Sequence, residues 1–244
     1  MSGTGAAIDC NHVTVHWAGE PVWLLPERAV WWPGGEALFV ADVHLGKAGT
    51  YRALGQPVPT GTTDDNLARL DALLTKHGAR HLVFLGDLLH APQGITAELL
   101  RKVSDWRLRH QAVAMHLVRG NHDARAGDPP LSLDIAVVDE PWPIGPFMAC
   151  HHPRRLPGQF VLAGHLHPSV MLAGPARDRA RLPCFCVDQT DSSGGEPREG
   201  LVVLPAFGAF TGTHGVQPMP NRRLYAVGGG AVWPLPLSAP PAGG

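Results

Sequence analysis

Short apolar runs recur along the chain at residues 37–40, 82–85, 116–118, 147–149 and 160–162, each bounded by Gly and polar residues. Runs of this length and setting predict buried strands. Between the first and second runs, Leu67, Leu70, Leu73 and Leu74 form one helical stripe. Thr62 or Thr63 is expected to cap that helix, Asp64 and Asp65 favour its first turn, and Gly78 stops it. Thr96 starts a second helix, with Leu99, Leu100, Val103 and Trp106 on one face. Strands alternating with helices predict an α/β layered fold. Residues 8–32 alternate apolar and polar in places and read as a hairpin or a pair of edge strands, followed by a turn at residues 31–35. Residues 45–61, rich in Gly and Pro and without a period, read as a loop. Downstream, residues 182–187 and 201–204 read as short strands, residues 188–200 as a mobile polar loop and residues 234–244 as a disordered tail, which leaves a single domain over residues 8–233.

A polar group follows each of the five apolar runs: Asp42-Val43-His44, Gly86-Asp87, Gly120-Asn121-His122-Asp123, His151, and Gly164-His165-Leu166-His167. Open α/β sheets place their sites at strand C-terminal ends. Asp, Asn and His are the side chains that hold a pair of divalent metals. On an extended strand end, residues i and i+2 point to one side, so Asp42 with His44, and His165 with His167, are each expected to reach one ion. Taken singly, Asp42 also reads as a turn cap, and Asp87 as a turn residue at the end of an apolar run. His122 is positioned to act on a substrate, with Asp123 expected to fix its tautomer. His151 and His152 are adjacent and should point in opposite directions, so only one of them is expected to be a ligand. With 14 His in the chain, others such as His12, His16, His77, His110 and His214 read as surface or packing residues.

The formal net charge of −1 gives no global attraction to nucleic acid or anionic membrane. No apolar stretch reaches the roughly 18 to 20 residues that span a bilayer. Residues 1–7 lack the basic and apolar segments of a signal peptide, so a cytoplasmic protein is expected. The four Cys do not make a disulfide framework and read as reduced thiols.

Jointly, the order and residues of these motifs resemble the calcineurin-like metallophosphoesterase superfamily over residues 38–170. The resemblance implies an α/β sandwich of two packed mixed β-sheets flanked by helices, and two divalent metals, with Mn²⁺ favoured and Fe or Zn²⁺ as alternatives. It implies that Asp42, His44 and His167 hold the first metal, that Asn121, His151 and His165 hold the second, and that Asp87 bridges them. A hydroxide bridging the metals would attack phosphorus, while Asn121 and His122 bind the phosphoryl group and His122 protonates the leaving oxygen.

The stretch from Asp42 through Lys47, Tyr51-Arg52 and Pro57 to Gly61, together with Gly86-Asp87-Leu88-Leu89-His90 and His151-His152-Pro153, is similar to the bacterial DNA-ligase-associated phosphoesterase (PdeM) group. That likeness favours His151 as the ligand. It implies a phosphodiester substrate, DNA, in a repair setting with a ligase or helicase nearby. Arg154, Arg155, Lys47 and Arg52 are the candidate phosphate contacts, with residues 177, 179, 181, 222 and 223 as further Arg sets. The absence of an Asp-Arg-Gly after Gly86-Asp87, and His rather than Arg at position 122, lower the readings as a protein phosphatase or a lipid A sugar-nucleotide hydrolase. A small-molecule or nucleotide phosphodiesterase is the alternative enzyme, and a non-catalytic scaffold binding a repair partner is the alternative of another class. The oligomeric state is not legible.

Overall fold

The central apolar runs bury both of their faces, which forces the chain into layers. The computed structural model describes residues 11–58, 61–173, 178–189 and 198–236. A first sheet holds β1 (Val13–Trp17), β2 (Glu20–Leu25), β3 (Ala29–Trp32), β4 (Ala37–Val40), β5 (His81–Phe84), β6 (Ala114–Val118) and β7 (Ile135–Val138), paired in that order. Its strands are antiparallel from β1 to β4 and parallel from β4 to β7. The parallel crossovers carry α1 (Lys47–Ala53), α2 (Thr62–His77), α3 (Ala97–Arg109) and α4 (Asn121–Ala126).

A second sheet is built from β8 (Trp142–Ile144), β9 (Phe147–Ala149), β10 (Phe160–Ala163), β11 (Pro168–Ala173), β12 (Arg179–Gln189), β13 (Gly200–Val203) and β14 (His214–Gly215). Its order is β14-β11-β12-β13-β10-β9-β8, with β15 (Arg222–Gly228) on β12 and β16 (Ala231–Pro234) on β15. These are the two mixed sheets that the resemblance implies.

Side-chain alternation assigns the layers. Leu38 and Val40 of β4 join Leu82, Phe84 and the stripes of α2 and α3 in a helix-side core. Phe39, Val83 and Leu85 face the other way, onto Phe147, Phe160, Leu162 and Phe185 of the second sheet. Trp17 stacks on Phe160 across this interface, with ring centroids 4.9 Å apart. The second sheet's outer face holds Cys150, Val161, Ala163, Cys184 and Cys186. All three of these cysteines are free and buried, and burial pushes their thiols up to about 11, 12 and 11 for Cys150, Cys184 and Cys186.

Several expectations need correction. Trp31 and Trp32 are not in a turn. They pair with Leu38 and Ala37 as strand β3, each aromatic filling a different core, so residues 13–32 form a three-stranded meander. Residues 47–53 are helical rather than loop, in a segment too short to display a period. Gly61, not a Thr, precedes the first residue of α2, whereas Thr96 does cap α3 by accepting from the Leu99 N–H. Asp188, Gln189 and Gly200, expected in a loop, are strand residues with Gln189 opposite Gly200, and residues 190–197 lie outside the described residues. Pro234 ends β16 and the Leu235 N–H bonds to the Leu224 carbonyl, while residues 237–244 of the expected tail, like Cys10, lie outside the described residues. Among the described residues, no helix is long and apolar enough to cross a membrane.

Phe160→Ala should destabilise the chain by about 3–5 kcal/mol, because it empties the inter-sheet core beneath Trp17. Urea denaturation measures this. A loss under about 1 kcal/mol would mean that the two sheets do not depend on this contact.

Candidate metal centre

All five polar motifs lie just past the C-terminal ends of parallel strands, β4, β5 and β6 in one sheet and β9 and β10 in the other. Backbone hydrogen bonds fasten these ends together. The N–H groups of Asp42 and His44 donate to the carbonyls of Gly86 and Asp87 at 3.2 and 2.9 Å, and the Gly164 N–H donates to His151 O at 3.2 Å. Beyond β13, the N–H groups of Phe207 and Gly208 reach Ala41 O and Asp42 O at 2.8 and 3.2 Å, which ties the second sheet to the first. Asp42, His44, Asp87, His165 and His167 all have left-handed backbones, with φ of 55°, 50°, 53°, 72° and 49°. Asp42 and His44 therefore converge because the chain turns at each of them, not through strand alternation as the i, i+2 spacing suggested. Conformations of this kind cost about 1–3 kcal/mol each for non-Gly residues and gather at functional sites.

The seven expected ligands come together in two overlapping groups. In the first, His167 Nε2 lies 3.4 Å from Asp42 Oδ1 and 3.4 Å from His44 Nε2, and His44 Nε2 lies 3.9 Å from Asp87 Oδ2. In the second, His151 Nε2 lies 2.9 Å from Asn121 Oδ1, 3.1 Å from His165 Nδ1 and 3.5 Å from Asp87 Oδ1. The two oxygens of Asp87 thus face different groups. Asp42, His44, Asp87 and His151 are all buried.

Burial drives the pKa of His44, His151 and His165 down and that of Asp87 up. Burial also lowers His167, but its bond to Asp42, the charge of Asp42 and the Gly212 carbonyl together raise it. His151 Nδ1 sits 3.0 Å from Leu85 O, and that carbonyl takes its N–H. Nε2 of the neutral ring is then a lone pair, aimed at the Asn121 oxygen. Two acceptors facing each other at 2.9 Å suit a cation between them, and a backbone carbonyl behind the ring is how metal-binding His is usually oriented. This donor set, without thiolate, fits divalent ions.

Residues 36–149 match the calcineurin-like phosphoesterase family model. The chain is 45% identical to a solved structure, the Pseudomonas putida nuclease MPE, covering 92% of this chain and 100% of that one with a TM-score of 0.77. The chain belongs to the calcineurin-like phosphoesterase family. It is also similar to Yfce, a phosphoesterase from E. coli, at 16% identity over 80% of this chain and 95% of that one, with a TM-score of 0.39. No curated protein matches the chain. As a calcineurin-like phosphoesterase, the protein is a metal-dependent hydrolase.

The phosphoesterase does not use Asp123 as the sequence suggested. Its carboxylate accepts the N–H groups of Asp87 at 2.7 Å, Gly120 at 3.0 Å and Leu89 at 3.0 Å. Burial pushes its pKa up to about 6, against the pull of these N–H groups. The His122 ring is oriented instead by His90, whose carbonyl lies 2.9 Å from Nδ1, and the His90 ring stacks on it with centroids 4.8 Å apart. Sequence reasoning missed His90; its place three residues after Asp87 was the available signal. Asn121, His122 and Asp123 lie in the first turn of α4.

The candidate phosphate contacts separate. Lys47 opens α1, where burial lowers its pKa while Asp42 and Asp87 pull it up. Arg52 lines another cleft of about 260 Å³ beside Thr62, Thr96 and Lys102, which holds none of the expected ligands. Arg154 is ion-paired with Glu140, Arg155 is exposed, Arg222 makes two bonds to Asp188, and Arg177 lies outside the described residues. Glu140 also accepts the N–H groups of His151 at 2.6 Å and His152 at 2.9 Å, and lies 2.8 Å from His152 Nδ1. Partial burial raises its pKa, but these bonds and Arg154 bring it below the ordinary value. His151 is buried among the expected ligands, while the His152 ring is half exposed and held by Glu140.

Gly86→Ala tests this packing. A Cβ at Gly86 would lie 2.0 Å from His151 Nδ1, on a backbone with φ of +83°. The variant should melt several degrees lower, as expected for about 1–3 kcal/mol of strain, and should hold less metal. Wild-type melting and metal content together would refute the close approach.

Proposed function

We propose that this phosphoesterase is a two-metal phosphodiesterase, with Asp42, His44 and His167 holding one ion, Asn121, His151 and His165 the other, and Asp87 shared. The observation that carries this reading is Asp87, whose two oxygens address His44 and His151 separately, at 3.9 and 3.5 Å. The bound ions supply positive charge that clamps phosphoryl oxygens and activates water. The chain's own groups do the rest. Asn121 and His122 bind the phosphoryl group. The His90 carbonyl holds the Nδ1–H of His122, so when the ring carries both protons the one on Nε2 is the one passed to the leaving oxygen, and the ring is left neutral with its proton on Nδ1. Mn²⁺ is favoured by the family resemblance, with Fe or Zn²⁺ compatible with the same donors.

DNA is the proposed substrate: 45% identity to a nuclease along that protein's whole length supports a nucleic acid, and the resemblance of the motifs favours DNA. The repair setting with a ligase or helicase, and the cytoplasmic location, rest on the resemblance of the motifs alone. The deciding experiment is a metal-titrated activity panel comparing a phosphomonoester, a simple phosphodiester, cyclic nucleotides, and nicked or single-stranded DNA. Cleavage of the small diester without DNA would favour the small-molecule phosphodiesterase.

Two variants should separate metal binding from proton transfer. Asp87→Asn should abolish activity and lower bound metal, because removing the one negative charge between them leaves two divalent ions repelling each other. Full activity with full metal content would sink the shared-ligand assignment. His122→Ala should keep its metal while kcat falls by roughly 10²–10⁴. The loss should shrink for substrates with good leaving groups, and an equal loss for good and poor ones would leave His122 only a binding role.

A further inference from the structure

Glu140 lies in the turn between β7 and β8, outside every motif, yet its carboxylate has four partners around His151. The two oxygens divide the work. Oε2 accepts both backbone N–H groups, of His151 at 2.6 Å and His152 at 2.9 Å. Oε1 lies 2.8 Å from His152 Nδ1 and pairs with the Arg154 guanidinium. We propose that Glu140 is a positioning residue for this half of the site, with Oε2 setting His151 for metal and Oε1 aiming His152 and Arg154 at substrate phosphate. The proposal rests on the two-metal reading above.

The geometry gives each arm a consequence. The His151 side chain is trapped between the Leu85 carbonyl and Asn121, so its backbone has to be fixed at the same time for Nε2 to hold its place. Oε2 supplies that fixing with charge-assisted bonds. His152 is half exposed, and its ring centroid is 4.7 Å from that of His165. With Nδ1–H on Oε1, its Nε2 is the ring atom left for substrate, and it donates to a phosphate oxygen when the ring carries both protons. Beside it the Arg154 guanidinium supplies further donors, and together the two suit a phosphate oxygen next to the His165 side of the site.

Glu140→Gln and Glu140→Ala separate the arms. In Glu140→Gln the amide oxygen can replace Oε2 and keep both backbone bonds. Its NH₂ then replaces Oε1 and meets only donors. This variant should bind two equivalents of Mn²⁺ close to wild-type affinity, while KM for a small phosphodiester rises about tenfold with kcat largely kept, the effect of losing charge-assisted bonds. Glu140→Ala loses both arms and should bind its second Mn²⁺ about 10–100-fold more weakly, with the spin-coupled EPR signal of a manganese pair lost at limiting metal.

Thermal melts identify a fold defect, and if the Ala variant does not fold, Glu140→Asp, whose carboxylate is drawn back by one methylene, takes its place for the Oε2 arm while Glu140→Gln decides the Oε1 arm. Two Mn²⁺ held at wild-type affinity by Glu140→Ala would overturn the Oε2 arm. An unchanged KM in Glu140→Gln would overturn the Oε1 arm, and equal metal loss in both variants would reduce Glu140 to general structural support. A wild-type protein that binds one Mn²⁺ would instead bring down the two-metal reading. Glu140→Ala would then have to weaken that one ion's binding, or the positioning role falls as well.

Discussion

The Asp123 carboxylate is sealed from solvent and bound by the N–H groups of Asp87, Gly120 and Leu89. The segments after β5 and β6 depend on it. They carry Asp87, Asn121 and His122, and without a common anchor their backbones would leave three N–H groups unpaired in the interior. An unsatisfied buried donor costs roughly 1–3 kcal/mol. The same carboxylate also brings Gly120 so close to Asp87 that a Cβ there would lie 2.3 Å from Asp87 Oδ1. The turn that presents Asn121 and the carboxylate between the two groups are therefore set by one interaction.

The site is assembled from both sheets. Asp42, His44, Asp87 and Asn121 follow strands of the first sheet; His151 and His165 follow strands of the second, and His167 comes two residues later. The spacing between these halves is fixed by the inter-sheet core, where Phe147 and Phe160 pack on Trp17, Trp32 and Phe39. The bonds from Phe207 and Gly208 to the end of β4 fasten the same edge. Core packing here is thus also site geometry.

The motif strands were legible because their apolar runs are buried on both faces and their polar groups begin at once beyond. Residues 37–40 and 147–149 coincide with β4 and β9. The helices α2 and α3 were legible from stripes long enough to show a period. Apart from His90, what was not legible had no local signal. Trp31 and Trp32 precede Pro-Gly-Gly, so their strand pairing, a tertiary matter, was hidden behind a turn signature. The role of Asp123 could not be inferred from its nearness to His122, since its partners Asp87 and Leu89 are more than 30 residues away. Glu140 shares no motif with His151 and meets it only because β8 and β9 fold back as an antiparallel pair.

The left-handed backbones at Asp42, His44, Asp87, His165 and His167 bear on how this chain can be improved or read by mutation. An alanine at any of them removes the side chain but keeps the steric conflict of a Cβ with φ above zero, whereas a glycine removes both. Alanine scanning would therefore hide a stability reserve that glycine scanning would reveal. Part of the stability of this protein is thus given up at the residues on which its chemistry depends, set against the backbone N–H groups that Asp42 and Asp87 hold.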